Sequence, residues 1–171
     1  MKEKLLTPEA LAAYNPLQTG VENASQMMFA EQWEDALASV VADSPPRKLL
    51  AWTLQQALTR MDLQESPQKQ CASEIQQWLA EPDDERRFRI FKQAELLGFD
   101  TPVGALGLSL FWMQGSMTPA EFDAVYPEPH LSHQMLLCAL KLLSVVISAQ
   151  DAPLKGAQIL LAEWHAEQGG H

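Results

Sequence analysis

Residues 132–150 read SHQMLLCALKLLSVVISAQ. Met135, Ala139, Leu142 and Val146 make one apolar row at helical spacing, and Leu136, Leu140, Leu143 and Ile147 make the row beside it. The polar residues Gln134, Lys141 and Ser148 leave only a narrow line between them. A helix that is apolar on most sides has to be enclosed by other helices. No segment alternates apolar and polar residues with β-branched enrichment, so a sheet is not expected. The expected fold is all-α: a single-domain bundle of seven to nine helices around the central apolar helix at about 132–150.

Punctuation outside that stretch sets the neighbouring helices. Thr7-Pro8, Ser44-Pro45, Ser66-Pro67, Thr101-Pro102 and Thr118-Pro119 each place a capping hydroxyl before a proline. The hydroxyl satisfies an orphan amide of the first turn, and proline at the first helical position loses no needed hydrogen bond. These signals predict helices over about 8–13, 45–61, 67–80, 102–114 and 119–125, the last opened by a Thr118/Glu121 capping box. Asp83 opens a further helix that reaches Leu97, where Gly98 suits a left-handed C′ position. Apolar spacing predicts one helix over 24–41, and Asp151 with Pro153 opens a last one that ends before Gly169-Gly170. Pro127 and Pro129 predict an extended connector. A boundary near residue 43 divides an N-terminal helical subregion, 1–43, from a helical core domain, 44–171.

The 171 residues are 47% hydrophobic and 20% charged, which excludes wholesale disorder. Twelve Lys and Arg stand against 22 Asp and Glu, a net charge of -10 that disfavours nucleic acid and anionic lipid as partners. The charge is uneven: 2 basic and 7 acidic residues in 1–44, 8 and 9 in 45–100, and 2 and 6 in 101–171. The apolar stretches 103–113 and 136–147 are about half the ~20 residues of a spanning helix, so membrane insertion is not expected. The start of the chain shows no apolar run of secretory length, and Cys71 and Cys138 form no CxxC; a cytoplasmic protein with reduced thiols is expected.

Catalytic and metal patterns are missing. Glu128, His130 and His133 lack the spacing of a zinc site, and His165 and His171 stand apart. Neither a GxSxG elbow, a P-loop nor a GxGxxG occurs; Gly104 and Gly107 sit inside a predicted helix, where small residues permit close helix approach. No catalytic residue, metal or cofactor is therefore expected. The basic group Arg86, Arg87, Arg89 and Lys92 is more informative. Arg86 and Arg87 occupy a first helical turn, where the helix dipole disfavours positive charge. Either Asp83, Asp84 and a Glu85–Arg89 pair offset it locally, or one arginine reaches into the fold, or across to a partner carboxylate, with bidentate geometry. Phe111 and Trp112 point about 100° apart, so their helix is buried on two sides or presents one ring at the surface.

The stretch from about 45 to 145 resembles an uncharacterised bacterial domain-of-unknown-function family of small helical proteins often found beside type VI secretion genes. The resemblance lies in Pro46-Arg47 before Trp52, then Trp78-Leu79 and Pro82-Asp83-Asp84-Glu85-Arg86-Arg87, Ala94-Glu95, Leu110-Phe111-Trp112, Gly115-Ser116, and Pro127-x-Pro129-His130-Leu131. Met113-Gln114-Gly115-Ser116 stands where the family has Ser-Gly-Gly-Ser. The resemblance implies an accessory role near a secretion machine and supplies no catalytic residue. The expected function is a non-enzymatic interaction module, an adaptor or accessory of type VI secretion, with Arg86, Arg87, Phe111, Trp112, Gly115 and Ser116 as partner-binding candidates. The expected partner is another protein, a secretion component or an effector with a basic surface. The alternatives are an immunity protein that neutralises a basic toxic effector, and a hydrolase whose site forms only in space, with Ser116 near His130 or His133.

Overall fold

The computed structural model describes residues 1–169, so Gly170 and His171 lie outside the described residues. It contains ten α-helices and, among those residues, no strand. They are α1 (Lys2–Leu5), α2 (Pro8–Ala13), α3 (Gly20–Phe29), α4 (Trp33–Asp43), α5 (Pro46–Arg60), α6 (Pro67–Ala80), α7 (Asp84–Leu97), α8 (Pro102–Met113), α9 (Pro129–Ser148) and α10 (Pro153–Gly169). Thr7, Ser66 and Thr101 cap α2, α6 and α8 as expected, each side chain accepting the amide of Ala10, Lys69 or Gly104.

Three departures account for the count. A single turn, α1, precedes the first expected helix. The helix expected over 24–41 is two, because Glu31 adopts a left-handed φ of 62°. The Gln32 amide donates to the Met27 carbonyl at 2.8 Å and the Glu31 amide to Met28 at 2.9 Å, a Schellman closure that ends α3. Glutamate stands where glycine usually signals such a closure. The helix expected over 119–125 is instead loop, because the Thr118 hydroxyl donates to the Asp123 carbonyl at 2.7 Å and caps nothing. Nor is Pro129 part of a connector; it is the first residue of α9.

The chain forms two compact units, residues 46–139 and residues 1–45 with the chain from Leu140 onward. The expected 1–43 subregion therefore shares its unit with α10 and the second half of α9. In that unit α3 and α4 pack on each other and on α10. Asp35, 8% exposed, accepts the Thr7 amide and the Thr7 hydroxyl at 2.8 Å each, which ties the cap of α2 to the first turn of α4. The buried Asn23 side chain receives the Asn15 amide at 2.8 Å and donates to the Asn15 and Thr19 carbonyls, closing the turn before α3. Where α10 meets α9, the Gly156 amide donates to Ser148 Oγ at 2.7 Å, and a Cβ on Gly156 would lie 2.0 Å from the Ser144 carbonyl oxygen.

In the unit 46–139, α8 is buried at every residue from Pro102 to Phe111, with α5, α6 and α7 against it. Gly107 permits that closeness as expected, since a Cβ there would meet the Ala94 Cβ at 2.7 Å. The start of α9 is tied to α8 by the Ser109 hydroxyl, which donates to the Ser132 carbonyl at 2.7 Å. By length and composition α9 could cross a membrane. Its Leu136, Ala139, Leu140 and Leu143 are buried in protein, while Val145 and Val146 are exposed.

Gly156→Ala has no room against backbone oxygen, and overpacking of this kind costs about 1–3 kcal/mol. Urea denaturation should show a loss of about 2 kcal/mol for Gly156→Ala; an unchanged midpoint would disprove the close α9–α10 contact.

Candidate functional site

α7 and α8 are joined only by residues 98–101, so they run antiparallel and the start of α7 lies level with the end of α8. Arg87 is ten residues before Leu97 and Phe111 nine after Pro102, rises of about 15 Å and about 13.5 Å at 1.5 Å per residue. This register brings the Arg87 side chain to the carbonyls that the end of α8 leaves unsatisfied.

Arg87 is 1% exposed. Its Nε donates to Asp84 Oδ1 at 2.8 Å, its Nη1 to the Phe111 carbonyl at 2.7 Å, and its Nη2 to the Ser116 carbonyl. The guanidinium carbon lies 4.5 Å from the Phe111 ring centroid and 5.0 Å from that of Phe88, within cation–π range. Phe91 packs on Phe111 at 4.5 Å and Phe88 meets it edge-on at 5.2 Å. Gly115 closes the remaining side. Its φ is 89°, and a Cβ there would lie 2.9 Å from the guanidinium carbon, so both the left-handed backbone and the contact require glycine.

The two readings of the arginine pair are thus divided between them. Arg87 reaches inside. Arg86 pairs with Asp83 at 3.4 Å and with Glu74 of α6 at 3.1 Å. Arg89 does not take Glu85 as its pairing partner; it also binds Glu74, at 3.2 Å, and that carboxylate raises the Arg89 pKa. One carboxylate on α6 therefore holds two arginines of α7.

Beyond Arg87 the chain makes a fifteen-residue loop, 114–128, with an internal frame. The Met117 amide donates to the Val125 carbonyl at 2.7 Å. Ser116 Oγ accepts the amides of Thr118 at 3.1 Å and Val125 at 2.9 Å. With Thr118 Oγ1 on Asp123, two hydroxyls replace the helix that the Thr118-Pro119 signal suggested. The frame leaves Phe122 64%, Val125 47% and Tyr126 69% exposed.

Of the six partner-binding candidates, Arg87 and Phe111 are buried and act from inside, Arg86, Trp112 and Ser116 are half-buried, and Gly115 is exposed. The structure brings Arg87, Phe111, Gly115 and Ser116 into one cluster. Asp84, expected to offset the arginines, joins it through Arg87, and Val125 joins it through Ser116. Val125 and the exposed Phe122 and Tyr126 of the same loop were missed in sequence; aromatics in a segment without Lys or Arg were the available signal. Among the described residues, no hydrogen bond joins Ser116 to His130 or His133. His133 Nδ1 lies 3.1 Å from the Pro129 carbonyl and His130 Nδ1 lies 3.4 Å from Glu128, whereas Ser116 Oγ is engaged by the loop. His165 lines an open apolar groove of about 280 Å³ with Val21, Ala24, Met28 and Leu161. No group of three or more His, Cys, Asp or Glu able to hold a metal ion occurs among the described residues. Neither Cys71 nor Cys138 is in a disulfide; burial, with a smaller contribution from Glu74, pushes the Cys71 thiol up to about 12.

An all-helical protein with a buried arginine clamp under an ordered loop is the class this geometry defines. The chain belongs to the Family of unknown function (DUF6931), which it matches over residues 24–162, a span that includes the clamp and the loop. No curated protein and no solved structure matches it.

Arg87→Met leaves two carbonyls without a donor, at about 1–3 kcal/mol each. Chemical denaturation should show a loss of about 3 kcal/mol for Arg87→Met, with little recovery in Arg87→Lys, which lacks the planar fork. Asp84→Asn should cost under about 1 kcal/mol, because the Asp84 carboxylate is largely in water. Equal losses for Arg87→Met and Asp84→Asn would refute the assignment of the carbonyls as the main partners.

Proposed function

We propose that this protein is a non-enzymatic protein–protein interaction module that serves in the cytoplasm as an accessory or adaptor of a type VI secretion system. The observation that carries the interaction reading is the loop 114–128, which is hydrogen-bonded from within, clamped at its base by Arg87, and exposes Phe122, Val125 and Tyr126. Loops of this length without secondary structure are uncommon in compact domains and are usually functional when ordered. Large apolar side chains held in place lose little conformational freedom on binding, and they dominate interface energetics. The secretion reading is supported by the resemblance of the 45–145 region to proteins found beside type VI secretion genes.

The immunity-protein reading draws on a different observation, the -10 net charge, which favours rapid capture of a basic toxin. One experiment separates the two. The tagged chain is expressed at its own locus, crosslinked in cells with and without the secretion genes, and its partners are quantified by mass spectrometry. The adaptor reading expects a secretion component, enriched only when the locus is present. If a neighbouring toxin is enriched instead, and deletion of this gene is lethal only while that toxin is present, the immunity reading replaces it. With neither enriched, both readings fail.

A further inference from the structure

The loop that supports the interaction reading also has a definite chemistry. Residues 114–128 contain Glu121, Asp123 and Glu128 and no Lys or Arg. The two flanking acids Glu121 and Asp123 are exposed on either side of Phe122, and Glu128 is exposed two residues beyond Tyr126. Their carboxylates are not consumed by the frame of the loop, which uses the Asp123 carbonyl, the Val125 backbone and the hydroxyls of Ser116 and Thr118. Among the described residues, Glu128 alone of the three has a side-chain partner, His130 at 3.4 Å. Exposed aromatics are thus interleaved with carboxylates on a backbone that is already ordered.

Given the interaction reading, on which the assignment rests, we infer that the 114–128 loop is a docking surface for a basic peptide segment of a protein partner, one that carries an aliphatic or aromatic anchor flanked by Lys or Arg. The apolar anchor covers Phe122, Val125 and Tyr126, and the flanking cations meet Glu121, Asp123 and Glu128. Charge complementarity selects this occupant over a second copy of the chain. Two such loops facing each other would oppose like charges and leave them unpaired, which costs several kcal/mol across an interface. The same carboxylates repel an anionic lipid surface and a nucleic-acid backbone. Because Arg87, Ser116 and Thr118 order the loop beforehand, binding incurs little ordering cost.

The test is a selection from a phage-displayed library of random linear peptides against the full chain, followed by fluorescence polarisation with the enriched peptides synthesised individually. Two variants serve as controls: Phe122→Ser with Tyr126→Ser, and Glu121→Gln with Asp123→Asn and Glu128→Gln. All these side chains are exposed, so both variants should keep the circular dichroism and denaturation midpoint of the parent. The expected result is peptides with an apolar anchor flanked by Lys or Arg. Their affinity should fall tenfold or more in the aromatic variant, as for a hot spot. In the charge variant it should fall severalfold, and that variant should lose most of the salt dependence. Peptides that bind both variants as well as the parent would place the surface elsewhere, overturning this inference while leaving the interaction reading standing. Acidic or uncharged consensus peptides, or no enrichment, would overturn it as well. A parent dimer in light scattering that the aromatic variant abolishes would assign the loop to a second copy, and binding of the parent to phosphatidylcholine vesicles that the aromatic variant abolishes would assign it to a membrane.

Discussion

A guanidinium withdrawn from water must find its partners within the protein, and for Arg87 those partners are chiefly backbone oxygens. Isolated burial of such a charge is expensive, and an ion pair alone does not always offset it. Here one face rests on Phe111, the Gly115 backbone lies against the group, and its donors reach Phe111, Ser116 and Asp84. Because guanidinium is planar, those partners are held in a fixed relation to each other. The end of α8 and the start of the following loop are therefore positioned by a residue at the start of α7. That residue is in turn positioned by the helix register and by the Glu74 contacts of Arg86 and Arg89.

The consequence is a loop that behaves as an extension of the helical unit. Its two short polar side chains, Ser116 and Thr118, satisfy backbone groups that would otherwise face solvent. Its large side chains are left to the surface. Proteins usually bury phenylalanine, so Phe122 exposed beside Tyr126 and Val125 on an ordered frame is informative where a lone exposed leucine such as Leu96 is not. The acidic residues between them give the surface a sign as well as a shape.

Much of the helical architecture was legible in sequence, because capping chemistry is local. Thr7, Ser66, Asp83 and Thr101 each begin a helix by accepting an amide three residues on. The failures are also local. Glu31 closes α3 in a left-handed conformation without the usual glycine, and Thr118 has the composition of a cap but turns its hydroxyl to Asp123. The first-turn arginines Arg86 and Arg87 were recognisable as a conflict with the helix dipole, which left local pairing and an inward reach both open without saying which arginine would turn inside. What the sequence could not show was that Arg87 is the one and where it goes, since Phe111 and Ser116 are 24 and 29 residues away and only the α7–α8 register brings them together. The loop aromatics were signalled in sequence only by their setting in a segment without Lys or Arg; their exposure follows from that clamp and from nothing in their spacing.

The central claim is that the buried guanidinium orders the loop. Amide hydrogen exchange in the native protein addresses it directly, read at Met117, Thr118 and Val125 in the parent and in Arg87→Met under conditions where both remain folded. The account predicts strong protection of these amides in the parent and its loss in the variant, with α5 and α6 amides changed far less. Loop amides that exchange freely in the parent, or that keep their protection without Arg87, would contradict it.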